Sequence, residues 1–195
     1  MNFRRICVFC GSNLGVDAVY RQAATSLGRL LTARGIELVY GGGDVGLMGV
    51  LADATLQYGG RVIGVIPESL VAKEVGHQGV TEMRVVQSMH ERKALMSDLS
   101  DGFIALPGGF GTFEEFCEVV TWSQLGIHSK PCGLLNVEGY YDPLLGLFDH
   151  AVREGFLREE NRGIVLEDRD AEGLLEKMAA FVPRPADKWI WKVEP

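Results

Sequence analysis

Seven short apolar, β-branched runs alternate with longer amphipathic stretches in this chain, and that alternation constrains its fold more than any other feature. The runs fall at 5–10, 36–40, 61–66, 82–87, 102–106, 132–136 and 164–166. Between most of them lie helical patterns, roughly 17–34, 46–58, 89–99, 112–125, 142–155 and 170–181, with Gly or Pro at the joints. Alternation of this kind predicts a doubly wound α/β fold, a mostly parallel sheet with helices on both faces. No repeat or linker interrupts it, and 195 residues at 47% hydrophobic and 23% charged suit one domain over 1–195 rather than a disordered chain. Only the end departs from the pattern. Pro183-Arg-Pro185 and Trp189-Ile-Trp191 make residues 183–195 too apolar for a free tail, so they are expected to dock on their own domain or against a second subunit.

The formal net charge of -7 argues against nucleic acid as a partner, because phosphate backbones are bound by clustered Lys and Arg. Any phosphate held here must be gripped locally. Arg4 and Arg5 precede an apolar run of only Ile6 to Phe9, too short for a signal peptide, and no stretch approaches the roughly 18 apolar residues that span a bilayer. A cytoplasmic protein without a membrane partner is expected. Cys7 and Cys10 form a C-x-x-C, which raises a redox reading. That chemistry needs the first thiol at a helix N-terminus, whereas both lie in a buried-strand pattern, so structural cysteines are expected.

In open parallel sheets, ligands bind beyond the carboxyl ends of the strands, which directs attention to the loops that follow them. The second run leads straight into Gly41-Gly-Gly-Asp-Val-Gly46-Leu-Met-Gly49. Glycines such as Gly42 and Gly43 let a backbone approach a phosphate, after which a helix N-terminus offers free N–H groups. Gly41, Gly43 and Gly46 also satisfy the dinucleotide fingerprint, and Glu68 follows the next strand where a ribose-binding acid could sit. Tight turning and helix packing would explain the same glycines. A second such element is Pro107-Gly108-Gly109-Phe110-Gly111-Thr112-Phe-Glu-Glu115. Thr112 and Glu115 have capping-box spacing, which would engage the Glu side chain at its own helix start. Three glycines and a proline exceed what a helix start needs, so Glu115 is expected to act on a ligand.

Ser88 and Glu91 form another capping box, which predicts a helix from near Met89. Arg92 and Lys93 then meet the positive end of the dipole, at a cost of about a few tenths of a kcal/mol each. Met89, Arg92, Lys93 and Met96 share one helix face, which could hold a base against methionine while the cations meet phosphate or ribose. A solvated face of snorkelling side chains is the alternative. The first loop, Gly11-Ser12-Asn-Leu-Gly15, adds a hydroxyl and a turn after the first strand. His77, His90, His128 and His150 show no metal-type spacing, and no metal is expected.

Gly41-Gly-Gly-x-x-Gly46-Leu-Met-Gly, Met89-x-x-Arg92-Lys93 and Pro107-Gly-Gly-x-Gly-Thr-x-x-Glu115 together resemble the Lonely Guy (LOG) family, cytokinin riboside 5'-monophosphate phosphoribohydrolases. The resemblance runs from Cys10-Gly-Ser12 to about Tyr141 and includes Trp122-x-Gln-Leu-Gly-Ile-His128 and Gly133-Leu-Leu-Asn136. It implies a Rossmann-like fold, a homodimer without cofactor, and hydrolysis of the N-glycosidic bond of N6-modified adenosine 5'-monophosphates, often AMP too. It further implies Arg92 and Glu115 as the catalytic pair, with substrate contacts from Glu74, Lys93, Gly109 to Thr112 and Thr121. Such sequences often carry a lysine decarboxylase label, but nothing in this chain singles out a Schiff-base lysine. Two rivals stay open: a dinucleotide-dependent oxidoreductase built on Gly41 to Gly46 and Glu68, and a carrier of a nucleotide-like cofactor.

Overall fold

The computed structural model describes residues 2–71 and 76–183. All seven expected strands form: β1 (Arg5–Phe9), β2 (Glu37–Tyr40), β3 (Val62–Pro67), β4 (Glu82–Val86), β5 (Gly102–Ala105), β6 (Cys132–Leu135) and β7 (Val165–Asp168). They make a single sheet in the order β4-β3-β2-β1-β5-β6-β7, and every pairing is parallel. The strand order reverses at β1, which is flanked by β2 on one side and β5 on the other. That reversal opens the crevice in which folds of this kind bind ligands.

Helices cover both faces, as the alternation requires. They are α1 (Ala18–Ala33), α2 (Gly46–Gln57), α3 (Glu68–Val71), α4 (Met89–Leu99), α5 (Phe110–Gln124), α6 (Asp142–Arg153), α7 (Glu159–Arg162) and α8 (Ala171–Ala180). Ile6 and Val8 point to the core shared with α1, α2 and α8, while Cys7 and Phe9 point to the core shared with α4, α5 and α6. Successive strand residues alternate between faces, so one strand feeds two cores. Each fully buried Leu or Ile in them is worth about 1.5–3 kcal/mol. Asp17, Ser88 and Asp170 cap α1, α4 and α8 with side-chain oxygens.

The same alternation disposes of the redox reading. Cys7 and Cys10 are three residues apart and face opposite cores, and all four cysteines are free. Burial, with the Glu115 charge adding to it, pushes both thiols well above the ordinary thiol range, so neither is a thiolate nucleophile. Among the described residues no helix is long and apolar enough to cross a membrane. The expected docking of the tail concerns residues that, beyond Pro183, lie outside the described ones.

Candidate active site

Three loops meet above the carboxyl ends of β1, β2 and β5, and hydrogen bonds lock them together. Gly11 N–H donates to the Pro107 carbonyl at 3.1 Å, and Leu47 N–H donates to the Gly11 carbonyl at 2.9 Å. Gly46, at φ +60°, lies so close to the first loop that a Cβ there would sit 2.2 Å from the Ser12 carbonyl carbon. Tyr140 and Tyr141, at the start of α6, brace the third loop from below, donating to the carbonyls of Gly108 at 2.6 Å and Leu106 at 2.7 Å. A cleft of about 280 Å³ opens between the first loop and the Pro107 turn, lined by Ser12, Asn13, Tyr20, Gly108, Gly109 and Tyr140 among others.

The two glycine-rich loops, alike in sequence, have different neighbours. In the loop after β2 the glycines approach the protein itself. The Gly41 carbonyl accepts from Arg92, the Gly42 carbonyl accepts from His77 N–H at 3.0 Å, and Gly43 bridges to Gly76. Glu68 is exposed at the start of α3. In the loop after β5, Gly108 is packed against Thr112 and Gly11, but a Cβ at Gly109 or Gly111 would meet nothing within 4 Å. Packing therefore does not require glycine at those two positions. Open space over them is the observation that a bound anion would explain.

The helix that follows starts earlier than its spacing implied. Gly109 is the N-cap of α5 and Phe110 its first residue, so the expected capping box at Thr112 is absent. The physical reason is that the glycine turn already directs the chain into the helix, which leaves Thr112 buried in the first turn. No side chain caps α5, and its first amides carry the positive end of the dipole into the open space. Glu115 is consequently not consumed by its own helix start. Its Oε1 lies 3.9 Å from Arg92 Nη1, with side-chain exposures of 13% and 7%. Phe110 is 92% exposed beside the turn.

The Ser88 half of the box forms as expected, with Glu91 N–H donating to Ser88 Oγ at 3.2 Å, while Glu91 Oε2 accepts from Gln87 N–H at 2.8 Å, one residue before the cap. The α4 face divides, however. Met96 is in the core, Met89 is 41% exposed, and Arg92 is buried between them. Arg92 Nε donates to the Val65 carbonyl at 3.1 Å, and Nη2 donates to the Gly41 carbonyl at 2.9 Å. Lys93 Nζ lies 2.5 Å from Glu114 Oε1 and 2.9 Å from Glu118 Oε1. Burial disfavours its charge, yet those two hydrogen bonds outweigh burial and raise its pKa, the opposite of what a Schiff-base lysine needs. Thr121 donates to the Cys117 carbonyl, about 9 Å further along α5 than Glu115 at 1.5 Å per residue. The structure thus brings Arg92 together with Glu115 and Met89, about one to two turns along α5 from the Pro107 turn, but not with Thr121; Glu74 lies outside the described residues. Spacing concealed the roles of Tyr140, Tyr141 and the Val65 carbonyl, which depend on contacts across the fold.

His77 has a setting that spacing also concealed. Its Nε2 lies 3.0 Å from Asp53 Oδ1 and 3.6 Å from Asp44 Oδ1, with the three ligand-type atoms within 4.8 Å of one another. Because Nδ1 accepts from Gly79 N–H at 3.0 Å, the ring proton sits on Nε2, and the ring is a donor to Asp53 rather than a metal ligand.

Known proteins place the chain in a family. A family model described as "Possible lysine decarboxylase" matches residues 48–178. The "Probable cytokinin riboside 5'-monophosphate phosphoribohydrolase LOGL1" of Oryza sativa subsp. japonica is 57% identical over 92% of this chain and 80% of its own length. The cytokinin riboside 5'-monophosphate phosphoribohydrolase LOG1 of Arabidopsis thaliana is 51% identical over 98% of this chain and 92% of its own. The chain belongs to the LOG family. Its fold is shared more widely: the molybdenum cofactor carrier protein of Chlamydomonas reinhardtii superposes with a TM-score of 0.68 at 20% identity, covering 91% of this chain and 98% of the carrier. At that identity the likeness speaks for the fold alone, and the LOG-family relatives carry the functional comparison.

Proposed function

We propose that the chain hydrolyses the N-glycosidic bond of N6-modified adenosine 5'-monophosphates and of AMP, releasing free base, cytokinin or adenine, and ribose 5-phosphate. The observation that carries this reading is the pairing of an open, uncapped glycine turn at the start of α5 with a carboxylate, Glu115, further along the same helix. The turn's amides, from Gly109 to Thr112, hold the 5'-phosphate beside Ser12, with Met89, Phe110 and, as the family resemblance implies, Glu74 and Lys93 as further substrate contacts. Bond breaking places positive charge on the ribose. The Glu115 carboxylate stabilises that charge and takes a proton from water as the water oxygen bonds to the anomeric carbon, and the bonding pair leaves with the base nitrogen. Arg92 pairs with Glu115. Phosphate binding supplies orientation at the reacting carbon from a remote contact. We place the enzyme in the cytoplasm; the family resemblance implies a homodimer that needs no cofactor.

Incubation with AMP and with isopentenyladenosine monophosphate is expected to yield free base, detected by chromatography, with no added cofactor. A carrier would bind nucleotide and release none, and a dinucleotide enzyme would leave both compounds intact; either result removes the hydrolase reading. Gly109→Ala separates fold from function. With nothing near its Cβ, it should move the unfolding midpoint by no more than about 2–4 °C. In the same variant, calorimetry should find ribose 5-phosphate binding weakened by on the order of tenfold or more, because the methyl occupies the anion's space. Unchanged affinity would move the phosphate away from this turn.

A further inference from the structure

Gly41 directly follows β2 and belongs to a loop whose sequence suggests phosphate binding, yet its surroundings concern a side chain of the protein. Its φ lies outside the left-handed region, so conformation does not demand glycine there. Space does. A Cβ at Gly41 would fall 2.0 Å from Arg92 Nη2 and 3.1 Å from Arg92 Cζ, while the next neighbour, Met48 Sδ, stands at an ordinary 3.5 Å. The guanidinium therefore lies directly against the bare Cα. The Gly41 carbonyl accepts from Nη2, and the Val65 carbonyl, on β3, accepts from Nε. Two fixed acceptors on adjacent strands set the plane of the fork, since a guanidinium held at two of its nitrogens cannot rotate. The remaining nitrogen, Nη1, lies 3.7 Å from Met89 Sδ and 3.9 Å from Glu115 Oε1.

We infer that Gly41 is a positioning residue of the active site: it acts through Arg92, seating the guanidinium by its carbonyl and its missing side chain so that Nη1 is aimed at Glu115. This rests on the proposed hydrolase reading and assigns the first glycine of the β2 loop to the acid–guanidinium pair instead of to the phosphate. The lever is short. A methyl at Gly41 must push Nη2 away from the carbonyl, which tilts the whole planar fork and shifts Nη1 relative to the Glu115 carboxylate. Met48 does not need to move.

The test compares wild type with Gly41→Ala on AMP. Base release is expected to fall about 10²-fold in kcat, the scale of a roughly 1 Å misplacement. KM and the ribose 5-phosphate dissociation constant should stay within about threefold, because the phosphate grip at the Pro107 turn is untouched. An Arg92→Lys background supplies the second arm. Lysine has no Nη2 to displace, so adding Gly41→Ala there should change kcat by less than about twofold, a non-additivity that plain loss of stability would not produce. Wild-type kcat in Gly41→Ala would overturn the inference, as would a rise in KM and ribose 5-phosphate dissociation constant with kcat intact, which would return the loop to phosphate binding. An inactive wild type would defeat the hydrolase reading and this inference together; an active wild type with additive losses would defeat this inference alone.

Discussion

Glu115→Gln should bind ribose 5-phosphate as tightly as wild type while releasing base from AMP about 10² to 10⁴ times more slowly, the range spanned by a positioned general base. The substitution keeps the shape of the side chain and removes its charge and its capacity to take a proton. The helix around it is set by Gly109 and the packed Thr112, not by a carboxylate at its start, so the start of α5 does not depend on Glu115. The Pro107 turn keeps its amides, and the product analogue is held as before. Two quantities read from one preparation, product affinity by calorimetry and turnover by chromatography, thus separate chemistry from binding. Turnover at the wild-type rate would remove Glu115 from the mechanism and leave the glycine turn as a binding site only.

Gly46→Ala has the largest expected effect on stability. Gly46 sits at φ +60°, and a Cβ there would fall 2.2 Å from the Ser12 carbonyl carbon and 2.3 Å from the Asn13 nitrogen, both backbone atoms with no rotamer to yield. The conformational strain is about 1–3 kcal/mol and the overpacking about as much again, so roughly 3–5 kcal/mol is expected. At about 2–4 °C per kcal/mol for a domain of this size, the thermal midpoint should fall by roughly 6–20 °C. A scan showing a shift below about 2 °C would mean that the first loop yields easily. That result would contradict its place as one of three mutually locked loops.

Glu115 and Gly46 illustrate what could and could not be read from residues alone. The strands were legible because burial on both faces imposes continuous apolar runs, and each expected run holds a strand. Short helices at 68–71 and 159–162 were not, since four residues give no period to detect. The Ser88 and Thr112 boxes have identical spacing, yet only the first caps its helix; the second is pre-empted by a glycine turn that starts α5 at Phe110. Likewise, Gly41 to Gly46 and Gly108 to Gly111 look interchangeable as text. Their division into glycines that admit protein and glycines that face open space depends on neighbours from distant segments. Arg92 reaches carbonyls 27 and 51 residues away in the chain, contacts that no local pattern encodes.

The pairing of β1 with β5 has a consequence for how the site comes into being. Ile6 lies beside Gly102, so the two loops that border the cleft come from the first residues and from beyond the middle of the chain. Closing so long a segment costs entropy that only the finished sheet repays, and parallel pairing of this kind is slow to nucleate. The cleft between these loops therefore exists only once β1 and β5 have paired, so on the proposed reading nucleotide affinity should appear late in folding. A ligand that binds across this cleft would then stabilise the paired sheet over any state in which β1 and β5 are apart.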